Sequence, residues 1–412
     1  MPELKTKPDI RFAGFTDAWE QRKLGELVNR VVRKNANNEC TLPLTISAQY
    51  GLVDQITYFN NRVASRDVSN YYLILNGEFA YNKSTSDGYP FGAVKRLDLY
   101  KKGVLSTLYI VFGIKDGNKT NSDFLTVFFG TDRWHKGVSE RAAEGARNHG
   151  LLNISVDDFF DIDLFIPQTE TEQAQIGHFF THLDHLITLH QREYDKTANI
   201  KKAMLEKMFP KDGADKPEIR FAGFTDAWEQ RKLGDFVEFY SGLTYSPNNV
   251  VDEGALVLRS SNVKNGEIVN ADNVYVTPEC VNSDSVQIGD VIVVVRNGSR
   301  NLIGKHAQIK HVMLNTVIGA FMTGVRSDVP DFTNALLDTR QFDNEIKKNL
   351  GATINQITTG EFKKMAFYVP SKMEQKIIGS FFTHLDHLIT LHQRELKKLQ
   401  NMKKALLEKM FV

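Results

Sequence analysis

The chain has 412 residues, 42% apolar and 25% charged, with 51 basic against 50 acidic side chains and a formal net charge of +1. That composition suits a globular protein of two or three domains, and the charge balance argues against a uniformly basic sponge for nucleic acid while leaving room for local basic loops. No uninterrupted apolar stretch reaches the roughly 18 residues of a membrane span, the first residues lack the apolar core of a secretory signal, and Cys40 and Cys280 stand too far apart in sequence to mark a disulfide framework or a zinc site, so a cytoplasmic protein without a membrane partner is expected.

In chain order, residues 1–25 form an arm whose segment Ile10–Gly25, IRFAGFTDAWEQRKLG, recurs residue for residue at Ile219–Gly234. Residues 26–165 form a first variable domain, with strands predicted at Tyr71–Leu75 and Val104–Phe112 and a helix at Ser122–Phe129. Residues 166–234 hold a central repeated region: a long helix predicted over Glu172–Phe209, a linker and the second copy of the arm. Residues 235–367 form a second variable domain, with strands at Asp290–Val295 and Thr316–Val325 and a helix at Phe332–Leu337. Residues 368–412 close the chain with a helix over Glu374–Phe411, in which FFTHLDHLITLHQRE of Phe179–Glu193 returns at Phe381–Glu395. The flanks are thus duplicated and the material between them is not. Drift alone would blur both alike, so the variable domains read as doing one job on different targets.

Both long helices are free of Pro and rich in Leu, Lys, Glu and Gln. A heptad frame runs through Ile176, Phe180, Leu183 and Ile187 in the first and Ile378, Phe382, Leu385 and Ile389 in the second, interrupted by His and Lys positions further on. Such a seam requires a partner helix, and the near-identical copy is the obvious one. At 1.5 Å per residue a helix of this length spans about 57 Å. Packed antiparallel, the pair would carry one domain at each end, as a ruler between half-sites on a duplex; an ordinary bundle is the plainer alternative. His182 and His185, with Asp184 between them, share a helix face, but without Cys or an HExxH pattern they read as polar helix residues, and no metal is expected. The glycine-rich segment Gly298–His306 fails the spacing of a nucleotide-binding P-loop, and no Asn/Asp-Pro-Pro-aromatic methyltransferase signature is present, so no catalytic residue is expected.

Reading DNA takes donors and acceptors on loops that can reach base edges, with Lys, Arg and small hydroxyls on phosphates. The segments that fit are Lys83, Ser84 and Ser86, then Lys95 and Arg96, then Arg141, Arg147 and Asn148 in the first domain. In the second they are Arg259, Ser261 and Asn262, then Arg296, Asn297, Ser299, Arg300 and Lys305. Most follow apolar runs and so read as loops leaving a sheet; for any one of them a solvated polar turn is the competing reading. A faint echo aligns Gly77-Glu78…Lys83…Gly92 with Gly289-Asp290…Arg296…Gly304.

With these residues in view, the chain resembles the specificity subunit of bacterial type I restriction-modification systems. The marks are Trp19…Lys23-Leu24-Gly25-Glu26 and Trp228…Lys232-Leu233-Gly234-Asp235, Ile166-Pro167…Glu172-Gln173 and Val369-Pro370…Glu374-Gln375, and the duplication itself, together covering nearly the whole chain. The resemblance implies an α+β fold: two mixed α/β target recognition domains separated by two long antiparallel coiled-coil helices in a pseudo-two-fold internal repeat. It implies a non-catalytic DNA-binding subunit, each domain reading half of a bipartite, asymmetric site on double-stranded DNA. It also implies two modification (methyltransferase) subunits and restriction (endonuclease/translocase) subunits as partners, with S-adenosylmethionine, ATP and Mg2+ on those partners and no cofactor in this chain. A helical scaffold that binds no DNA, and a self-sufficient nuclease, are the alternative readings.

Overall fold

The computed structural model describes residues 5–47, 50–85, 89–115, 117, 119–142, 152–211, 213–350 and 355–412. Ser86, Arg147 and Asn148 lie outside these described residues. The chain forms two compact units, Met1–His190 with Glu395–Val412, and Gln191–Arg394. The divisions fall inside the two long helices, Glu170–Lys207 and Lys372–Met410. Each unit therefore holds an arm, a variable segment, and parts of both long helices.

In the first unit a four-stranded antiparallel sheet runs in the order Val28–Arg30, Ile110–Ile114, Phe79–Asn82, Ala93–Arg96. In the second unit the corresponding sheet runs Val237–Ser241, Met322–Ser327, Val291–Val294, His306–Gln308. The registers coincide: Phe79 faces Arg96 and Phe112, as Val291 faces Gln308 and Val325. Unlike sequences thus build one framework, because short apolar runs buried on both faces, closed by turn glycines, specify a strand without fixing its side chains. Gly77 (φ 85°) and Gly289 (φ 94°), with Gly92 (φ 71°) and Gly304 (φ 87°), supply the left-handed turns on either side of the central strand. The register also corrects the sequence echo: it sets Lys83 level with Val295, so the counterpart of Arg296 is Ser84. The second unit adds a sheet of Val250–Val251, Val274–Val276, Ala255–Leu258 and Thr316–Ile318, the last two parallel.

The repeated flanks clamp each variable segment. Glu20–Lys23 pairs antiparallel with Asp163–Ile166, and Glu229–Lys232 with Ala366–Val369. Arg11 grips Glu172 with two hydrogen bonds of 2.6 and 2.7 Å, and Trp19 donates its indole N–H to the same carboxylate at 3.3 Å. Arg220 grips Glu374 with the same two distances. Gln173 and Gln375 donate to the carbonyls of Pro167 and Pro370, closing the turn that starts each long helix. The Pro…Glu-Gln mark is therefore a structural latch.

Glycine inside a helix costs about 1 kcal/mol against alanine, so Gly177 and Gly379 require a reason. A Cβ on Gly177 would sit 2.7 Å from the Phe124 nitrogen, and one on Gly379 2.6 Å from the Phe332 nitrogen. These glycines let the short helices Ser122–Phe128 and Pro330–Leu337 abut the long ones.

Within each unit the long-helix segments run antiparallel. In the first, Phe180 meets Phe411 (centroids 6.0 Å apart) while Asp184 pairs with Lys403 at 2.5 Å. In the second, Phe382 meets Phe209 (5.9 Å) while Asp386 pairs with Lys201 at 2.5 Å. The lysines that interrupt the heptad frame are thus matched by the aspartates of the repeated histidine segment. Of the seam residues, Ile176, Phe180, Leu183, Ile378, Phe382 and Leu385 are buried, and Ile187 and Ile389 half-buried.

The two predicted strands Val104–Phe112 and Thr316–Val325 are each broken in two. The first splits into Lys102–Leu105 and Ile110–Ile114, the second into Thr316–Ile318 and Met322–Ser327. In both, a turn interrupts the run, at Ser106-Thr107 in the first and Gly319 in the second, and its exposed apolar residue is Leu108 or Phe321. No helix among the described residues is long and apolar enough to cross a membrane.

Candidate nucleic-acid interface

In the second unit three loops meet where the two sheets end. The loop after Val291–Val294 carries Arg296, Asn297, Ser299 and Arg300. Its Asn297 donates to the hydroxyl of Ser260 (3.0 Å), in the loop that leaves Ala255–Leu258. Its backbone pairs with the third segment: Asn297 N–H donates to Asn355, Ile357 N–H to Val295, and Arg296 bridges Gln356. The turn 319–321 closes the edge, with the Arg296 guanidinium 4.9 Å from the Phe321 ring centroid. Arg296, Ser299 and Arg300 are exposed, and Ser261 and Lys305 half-exposed. Arg300 reaches the Leu350 carbonyl at 3.4 Å and Arg259 the carbonyl of Asp272. Asn297 caps its own turn, accepting the Ser299 N–H at 2.9 Å, as Asn82 accepts that of Ser84 at 3.0 Å in the first unit.

The first unit is sparser at the same station. Ser84 is exposed there, and Lys83 lies beside Arg30, whose positive charge, after burial, helps push the Lys83 ammonium below its ordinary pKa. Lys83 donates to the Ile154 carbonyl at 2.8 Å, so its charge is partly committed. Arg30, exposed at the end of the edge strand Val28–Arg30, was not singled out by the sequence, since nothing local marks it.

Several expected contact residues make hydrogen bonds within the fold. Asn262 is fully buried; it accepts the Arg259 N–H at 2.9 Å and donates to Ala271 and Asn273, which shapes the loop. Arg141 ties its helix to the carbonyl and carboxylate of Asp161 (2.7 and 2.9 Å). Lys95 and Arg96 lie within a strand, not on a loop. Arg96 is spent on Asp98, Ser122 and Asp123. Burial, with Lys403 nearby, lowers the pKa of Lys95, against the pull of Asp184. These side chains match a DNA contact in type, and each also has partners within the fold.

An ionic cluster lies along the long helices of the second unit. His306 faces Asp338 at 3.3 Å, and Lys201 bridges Asp338 (2.6 Å) and Asp386. Burial alone would lower the His306 pKa, but the Asp338 carboxylate holds it above the ordinary value. Burial would raise Asp338, and His306 and Lys201 overcome it, keeping the carboxyl well below its usual range. This cluster fastens the domain to its helices. The loop ends above carry hydroxyls, amides and guanidinia, the set that binds phosphates and base edges.

Comparison with known proteins bears on this reading. Residues 225–401 match the family model described as the type I restriction modification DNA specificity domain. The chain is 22% identical over 408 residues to the type I restriction enzyme MjaVIII specificity subunit of Methanocaldococcus jannaschii, covering 94% of this chain and 91% of that protein. It is 25% identical over 163 residues to the StySPI specificity subunit of Salmonella potsdam, covering 37% and 35% respectively. In fold it is similar to the crystal structure of a type I restriction-modification S subunit from M. genitalium, with a TM-score of 0.62 at 16% identity over 98% of this chain and 99% of that one.

Proposed function

We propose that the chain is a DNA specificity subunit of a type I restriction-modification system, as the proteins it resembles are, and that its two variable domains each read one half of a bipartite, asymmetric DNA site. As a specificity subunit it recognises DNA and is not the catalytic component. The observation that carries the proposal is the pairing of equal flanks with unequal loops: one sheet framework, twice, ending in Ser84 and Leu108 in one domain and in Arg296, Ser299, Arg300 and Phe321 in the other. Unequal chemistry at matching stations suits two different half-sites, and the long helices, about 57 Å each, suit a fixed spacer of the order of a helical turn or a multiple of it.

The repeated residues of arm and helix then serve as scaffold and as the docking surface for two modification subunits. Those partners supply S-adenosylmethionine and adenine methylation, and restriction subunits supply ATP- and Mg2+-dependent cleavage, in the cytoplasm. Base contacts fall to Arg296, Ser299 and Arg300 in the second domain and to the Ser84 loop in the first, with Lys83 and Arg30 supplying positive charge for phosphates.

Methylome sequencing of a host with and without this gene tests the reading. Loss of one bipartite methyladenine motif on deletion is the expected result; an unchanged set of methylated motifs would refute it.

A further inference from the structure

The geometry points to Arg296 and Phe321 as a single reading unit, in which the Phe321 ring holds the Arg296 guanidinium for the edge of a guanine in the half-site this domain reads. This inference rests on the bipartite-reader proposal and extends it to a base type and to a positioning residue.

Phe321 is 52% exposed at the tip of a turn, so its ring face is open to a neighbouring side chain. The Arg296 guanidinium lies over it, 4.9 Å from the centroid. The backbone fixes both partners: the Phe321 carbonyl accepts the N–H groups of Val295 (2.9 Å) and Arg296 (3.2 Å). The turn is tied down by Gly319 N–H to Leu258 (2.9 Å) and Met322 N–H to Gly319 (2.8 Å). Asn297, bonded to Ser260 and Asn355, braces the opposite side.

Other arginines of this unit are committed: Arg326 to Asp290, Arg220 to Glu374. Arg296 has no carboxylate partner among the described residues. Its planar fork is therefore directed but unspent. A phosphate asks only for positive charge and tolerates a mobile lysine, whereas a planar guanidinium fork meets O6 and N7 of guanine with two donors at a set angle. An exposed ring that sets that angle is the arrangement a base edge calls for. At the same station of the first domain the register places Ser84 and Leu108, the latter 74% exposed. That pair has no guanidinium fork, so the two stations select different bases, as an asymmetric site demands.

The test uses the full-length chain in complex with its methyltransferase subunits, on duplexes carrying every single base-pair change in the site found by methylome sequencing. F321A and R296K are each expected to lower discrimination at one G·C pair of the second half-site by roughly ten- to a hundredfold. Discrimination throughout the first half-site stays unchanged, and F321Y, which keeps the ring, behaves as the unaltered chain. The inference is overturned if R296K discriminates normally, if F321A weakens all duplexes equally, or if F321Y fails as F321A does. Failure of the parent reading is separate: the unaltered complex would then discriminate in neither half.

Discussion

Replacing Phe411 by alanine is expected to destabilise the first unit by about 3–5 kcal/mol, the cost of removing a fully packed phenyl ring from a core. Phe411, 1% exposed in the last turn region of the chain, stacks on Phe124 (5.6 Å) and meets Trp19 (6.0 Å) and Phe180 edge-on or tilted. It arrives from the far end of the second long helix, so the core of the first domain is completed by residues some 400 positions from its start. Phe209 does the same in the second unit, against Trp228, Phe332 and Phe382. Urea unfolding followed by amide exchange would resolve the two units. F411A should lower the protection of Phe79–Asn82 and Ile110–Ile114 and spare Val291–Val294, and F209A should do the reverse. Equal loss in both units, or a change below about 1 kcal/mol, would contradict the packing described here.

Arg11→Ala is expected to cost a similar amount, about 3–5 kcal/mol, because it leaves the Glu172 carboxylate buried without its counter-ion. Glu172 is 1% exposed and accepts three hydrogen bonds, two from Arg11 and one from Trp19. Removing both partners together, as in Arg11→Met with Glu172→Leu, should cost markedly less than either single change, since no charge is then stranded. A thermal-unfolding double-mutant cycle would measure this; strictly additive losses would show that the pair is not coupled. The matching cycle at Arg220 and Glu374 removes two hydrogen bonds, because the indole N–H of Trp228 does not reach the carboxylate.

The duplicated plan and the long helices could be read directly, because identity and periodicity survive without knowledge of contacts. The helices run Glu170–Lys207 and Lys372–Met410, each close to the predicted span. The lysines that seemed to spoil the seam became intelligible only when Asp184 and Asp386 were found opposite them. Turns were harder. Ser106–Tyr109 and the 319–321 turn sit inside spans rich in β-branched and aromatic residues, which favour one strand each, although Ser106-Thr107 and Gly319 mark the breaks. Intramolecular partners were equally hidden for Asn262, Arg96 and Arg141. Their residue types suit DNA, but the partners that claim them, Ala271, Asp123 and Asp161, lie elsewhere in the chain and leave no local trace. Composition thus locates the loops that could read bases, and tertiary contacts decide which side chains in them are free to do so.

We propose that equal flanks set the distance and unequal domains choose the bases. The most direct test of this replaces residues 235–367 by the variable domain of a relative and sequences the methylome of a host carrying the exchanged chain with its partner subunits. A new sequence in one half of the bipartite motif is expected, with the other half and the spacer length unchanged. A change in both halves, or a shifted spacer with the helices intact, would contradict it.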